Sequence, residues 1–137
     1  MAAVVLTTVI ESLTGDVLQS LNGNKPAKEK LSQMLRSLNN FYQGGTALCF
    51  LTIFSIGEQN DEIKTLMDQA LKKWINSLAL TLKELEIKNS KKQATFAISC
   101  LQGSLVLAHL KKEPKLFQSN LTLLAESWKI GINPPNF

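Results

Sequence analysis

The segment from Lys91 to Lys112 limits what this chain can fold into more than any other. Ala94, Phe96, Ala97, Ile98, Cys100, Leu101, Gly103, Leu105, Val106, Leu107, Ala108 and Leu110 cover nearly the whole circumference of a helix, and the charges are confined to the lysines at its two ends. A helix that is apolar all round has to be covered on both sides. In a helical domain of 137 residues one side meets the core, and the other calls for an additional partner. Gly103 sits in mid-helix, where glycine costs about 1 kcal/mol relative to alanine, so its presence asks for a packing reason such as the close approach of two backbones. The next stretch, Lys115 to Trp128, adds Leu116, Phe117, Leu121, Leu123, Leu124, Ala125 and Trp128 as a second broad apolar surface. Two such helices from each of two chains make a four-helix interface.

Elsewhere the apolar residues recur at helical spacing. Leu31, Met34, Leu35, Leu38, Phe41 and Tyr42 form one series within Ala27–Gln43, with Lys28, Lys30, Arg36 and Asn40 on the other face. From Asp61 to Leu85 the series Ile63, Leu66, Met67, Ala70, Leu71, Trp74, Leu78, Leu82 and Leu85 keeps steps of three and four. Both segments read as amphipathic helices. Thr46 to Ile56 is apolar throughout and rich in aromatic and β-branched residues, but it has no second strand to pair with, so a short central helix is expected. Breaks fall at Asn22–Pro26, Gly44-Gly45, Gly57–Asn60, Ile87–Ser90, Glu113-Pro114 and Gly131 onward. Proline at position 26 suits the first turn of a helix, Pro114 ends one helix and starts the next, and Asp61 and Ser90 are suited to N-caps.

The expected architecture is all-α: an antiparallel bundle of about six helices, with residues 1–130 as one domain and 131–137 as a tail. Composition excludes several alternatives. With 45% hydrophobic and 19% charged residues, and only 7 Gly and 4 Pro, the chain is neither disordered nor collagen-like nor a loop-rich disulfide scaffold. It carries 15 basic against 11 acidic residues, and Arg36 is the one arginine. Nucleic-acid surfaces recruit arginine for bidentate contacts, so this balance reads as general solubility. Cys49 and Cys100 lie in apolar stretches without a CxxC spacing and read as small buried residues in a reducing compartment. No segment approaches the roughly 20 apolar residues that span a bilayer. Ala2–Ile10 lacks the basic start and cleavage pattern of a signal peptide. No membrane partner is expected, and the expected compartment is the cytoplasm.

Catalysis has little to stand on. His109 is the only histidine and lies near the end of the apolar helix, with no acid or nucleophile at a triad spacing. The pairs Asp61-Glu62 and Glu84/Glu86 point apart on a helix and sit at helix ends. No HExxH, P-loop, dinucleotide fingerprint or EF-hand loop occurs. No enzyme activity, no metal and no cofactor is expected.

The order of parts resembles a family. Phe41-Tyr42-Gln43-Gly44-Gly45, a short apolar helix, Gln59-Asn60-Asp61-Glu62-Ile63, a long helix with Trp74, then Gln102-Gly103-Ser104-Leu105 and the Glu113-Pro114 break before a final helix look like the C-terminal regulatory domain of TetR-family transcriptional repressors, over roughly Leu6 to Trp128. The resemblance is narrower to the branch that regulates multidrug-efflux operons. It implies a homodimer through the last two helices and a pocket for a small hydrophobic effector inside the bundle. The helix-turn-helix that opens such repressors does not precede Leu6, so DNA contact is expected only through a missing N-terminal domain.

On this resemblance, Met34, Leu38, Phe41, Tyr42, Phe50, Phe54, Trp74, Leu78, Phe96 and Cys100 are candidates to line a mainly apolar ligand cavity closed at one end by Tyr42. The alternative is that the same side chains fill the core and leave no hole. Gln102, Gly103, Val106, Leu110, Leu121, Leu124, Ala125 and Trp128 are candidates for the dimer interface. The leading expectation is thus a ligand-sensing and dimerising repressor domain. The alternative is a headless relative that heterodimerises with a full-length repressor.

Overall fold

A computed structural model describes residues 15–42 and 61–130. The regular structure among these residues is entirely helical: residues 15–21 (α1), Ala27–Phe41 (α2), Asp61–Glu84 (α3), Ser90–Lys111 (α4) and Lys115–Ser127 (α5). The described residues are all-α, as their periodicity predicts. The expected central helix at Thr46–Ile56 lies outside the described residues.

Local chemistry sets the helix ends. Pro26 precedes α2 with φ −56° and ψ 150°, and Pro114 precedes α5 with φ −57°. In both places the ring fixes φ and the missing N–H is one that a helix start leaves unused anyway. Before α4 the cap position belongs to Asn89, at φ 54° and without a side-chain cap bond, and Ser90 is the first helical residue. The expectation that Ser90 caps this helix is thereby corrected. Asparagine tolerates the left-handed conformation that the tight turn from Leu85 requires.

Three helix ends share one closure. Glu86, Lys112 and Lys129 adopt φ of 61°, 56° and 57°. The next residue in each case returns its N–H to a carbonyl five positions back: Ile87 to Leu82 at 3.2 Å, Glu113 to Ala108 at 2.9 Å, and Ile130 to Ala125 at 3.0 Å. This is the Schellman closure, built here without glycine. Ile87 and Ile130 then turn back onto the core.

Short turns at 85–89 and 112–114 make α3, α4 and α5 run up, down and up, with α4 packed against both neighbours. Two ties orient α2 against them. Lys30 near its start meets Glu84 at the end of α3, while the ring of Tyr42, just beyond its end, packs edge-on to Phe117 of α5 at 5.9 Å. Thus α2 runs antiparallel to α3.

The core lies between these helices. Leu31, Met34, Leu35 and Leu38 of α2, Trp74, Leu78 and Leu82 of α3, Leu101 and Leu105 of α4, and Phe117 and Leu121 of α5 are buried in one cluster, to which α1 adds Val17 and Leu21. Each fully buried large side chain contributes about 1.5 to 3 kcal/mol through removal of apolar surface from water. Buried hydroxyls are satisfied within their own helices: Thr81 donates to the Ser77 carbonyl at 3.0 Å, and Ser104 to the Cys100 carbonyl at 2.6 Å. The Asn120 side-chain amide in turn donates to the Ser104 hydroxyl and ties α5 to α4.

Candidate functional site

Helix α4 has two apolar faces, and the fold covers one of them. Ala94, Ala97, Ile98, Leu101, Ser104, Leu105 and Ala108 face inward and are buried. On the opposite side Phe96, Cys100, Gly103, Leu107 and Leu110 follow one another in steps of four, three, four and three residues. That spacing draws a straight stripe of about 21 Å along the helix. Phe96 is 62% exposed and Leu110 is 71% exposed; Leu107 is also open to solvent, and Cys100 is half-buried. A Cβ added to Gly103 would meet nothing within 4 Å, so the stripe has a dip at its centre. Leu123 of the adjacent α5 stands exposed as well. The circumference read as uniformly apolar is therefore two stripes back to back.

The charges around this face have one sign. Lys91 and Lys92 stand at the start of α4, Lys111 and Lys112 at its end, and no carboxylate occurs between 90 and 112. By length and composition α4 is also the one described helix apolar enough to cross a membrane, with 39% of its apolar window buried in the chain. This departs from the expectation that no segment is long and apolar enough to span a bilayer, because serines, glutamines and a threonine interrupt the apolar residues while the mean hydropathy stays high.

The residues expected in a two-chain interface divide into two groups. Gly103 and Leu110 lie on the open stripe, with Gln102 and Val106 half-buried. Leu121, Leu124, Ala125 and Trp128 are instead buried in the chain's own core, where α5 packs on α4 and α2. Such side chains have no surface left to offer a partner. Leu107 and Leu123, not among the expected interface residues, are exposed here as well. The signal for Leu107 was its place in the four-three alternation.

The residues expected to line a ligand cavity also divide. Met34, Leu38, Tyr42, Trp74 and Leu78 come together in the core, and Phe41 packs at its edge with its ring 4.8 Å from that of Tyr42 at 85°. Phe96 points to solvent on the other side of α4 and cannot join them. Cys100 is half-buried, while Phe50 and Phe54 lie outside the described residues. Within the packed group, Trp74 is 3% exposed and its Nε1–H has no acceptor. Asn39 on α2 is buried with its Oδ1 unsatisfied.

Two open grooves run beside α2, of about 690 and 430 Å³. Both are lined by polar side chains, Lys25, Gln33 and Ser37 being common to the two, and neither includes a residue of the expected apolar lining. On the exposed side of α3, Asp68 bonds Lys72 at 2.9 Å and holds its ammonium pKa above the usual lysine value, by hydrogen bond and by charge. Among the described residues no group of three or more His, Cys, Asp or Glu side chains could hold a metal ion. Compared with protein-family models, with curated proteins and with solved structures, the chain has no match.

Proposed function

We propose that this chain is a dimerising, effector-sensing regulatory domain of the TetR-repressor type, with no catalytic step of its own and no DNA contact through the residues present. The observation that carries the pairing half is the open stripe Phe96–Cys100–Gly103–Leu107–Leu110 on α4, flanked by Leu123. A contiguous exposed apolar patch of this kind marks an interaction site, and its four-three spacing suits a helix from another chain. The sequence resemblance supplies the repressor type, and the core that Trp74 shares with Met34, Leu38, Tyr42 and Leu78 supports the sensing half. Light scattering at micromolar concentration tests the pairing: a dimer is expected, and a monomer refutes it. Quenching of tryptophan fluorescence by a panel of lipophilic cations, dyes and flavonoid-like compounds tests the sensing; an unresponsive spectrum removes it.

The lysines at both ends of α4 favour a second reading. Two copies of α4 bring like charges together with no carboxylate on either helix, whereas a different chain with acidic flanks would relieve the repulsion. This is the alternative of a heterodimer with a repressor chain. Salt separates the two readings: screening strengthens a self-paired dimer and weakens a complex with an acidic partner.

A further inference from the structure

We propose that the core around Trp74 takes an apolar guest that carries a hydrogen-bond acceptor, such as a carbonyl oxygen, and that this acceptor receives the Trp74 Nε1–H. The inference rests on the effector-sensing reading and names the chemistry of what is sensed. Trp74 lies on the buried face of α3, in line with Leu78 and Leu82, and is 3% exposed. A buried indole ordinarily finds a partner for its N–H. Here none is within reach, and the core cluster to which it belongs is built of aliphatic, methionine and aromatic side chains. An unpaired donor in such surroundings costs free energy comparable to a lost hydrogen bond, a cost that a phenylalanine at the same position would not carry. The one other side chain in the buried set with an open acceptor, Asn39, does not supply it, since its Oδ1 is itself without a partner. A guest that enters this core meets apolar contact and one directional donor, the composition of a site for a small, mainly apolar molecule with a single polar handle. It discriminates against the corresponding hydrocarbon because only the acceptor-bearing guest satisfies the N–H.

The test compares two probes of nearly equal size, acetophenone and ethylbenzene, on the full chain labelled with nitrogen-15 at the indoles of Trp74 and Trp128. With acetophenone the Trp74 indole signal is expected to move downfield in the proton dimension while that of Trp128 stays in place. Acetophenone is expected to bind about tenfold more tightly than ethylbenzene, the advantage of one satisfied buried donor. In Trp74→Phe the two probes are expected to bind equally. Equal binding to the unaltered chain, with the Trp74 signal unmoved, overturns the acceptor and leaves the sensing core standing. Failure of both probes to bind overturns the inference together with the sensing reading. A Trp74 indole proton already hydrogen-bonded before any probe is added overturns it too.

Discussion

Lys30 and Glu84 meet at 3.3 Å between the start of α2 and the end of α3, and they share the contact unequally: the lysine side chain is 10% exposed and the glutamate 50%. The lysine is the more deeply buried partner, whereas the glutamate side chain keeps much of its water. Removing the acid is therefore the damaging change. Glu84→Gln is expected to lower the urea unfolding free energy by about 1 kcal/mol, less than for a fully buried pair because Glu84 is half solvated. Lys30→Met, which removes the buried charge and keeps the stem, is expected to be neutral or slightly stabilising. Equal losses for both variants would mean that the pair is held by solvent and not by the fold.

The left-handed residues at the three Schellman ends give a second test. Glu86, Lys112 and Lys129 each hold a positive φ that side chains disfavour and glycine does not. Lys112→Gly and Lys129→Gly are each expected to stabilise the chain by about 0.5 to 1 kcal/mol. A loss of stability in both would show that these residues do not hold that conformation in solution.

The two faces of α4 are expected to respond differently to substitution. Leu105→Ala on the inner face should cost about 2 to 5 kcal/mol through the cavity it leaves. Leu107→Glu combined with Leu110→Glu on the outer face should change the stability of a single chain by less than about 0.5 kcal/mol for each site and convert a dimer to a monomer. Sedimentation velocity and urea unfolding of the same samples read both effects. If the outer pair unfolds the chain, the stripe belongs to its own core.

Gly103 supplies a substitution whose sign depends on assembly. Nothing within the chain would touch an added methyl group, so in a lone chain Gly103→Ala should stabilise α4 by about 1 kcal/mol. Where a second helix crosses at this dip, the same methyl group intrudes and association weakens. Unfolding midpoints measured over a hundredfold range of concentration would separate these results, and a gain in stability without any loss of association would place the crossing elsewhere.

How far the sequence could be read depended on which face of a helix decides the matter. The inward faces of α2 and α3 were legible because Leu31, Met34, Leu35 and Leu38, or Trp74, Leu78 and Leu82, alternate with charged residues, and the period alone orients them. On α4 both faces are apolar, so the period carried no preference. Phe96 looked equivalent to Ile98 until tertiary packing chose between them. On α5, Leu121 and Leu124 looked free to serve a partner because the sequence does not say that α2 and α4 together already enclose them. The helix ends at Glu86, Lys112 and Lys129 were invisible as left-handed closures for a different reason. Glycine is the usual signal for that conformation, and none of these positions has it.

The two-faced construction of α4 also makes heat resistance a matter of mass action. If the outer stripe is covered by another chain, every unfolding event also releases a partner, and the melting temperature climbs as the protein is concentrated. A chain that stands alone melts at one temperature at any dilution, with its leucines wet from the outset.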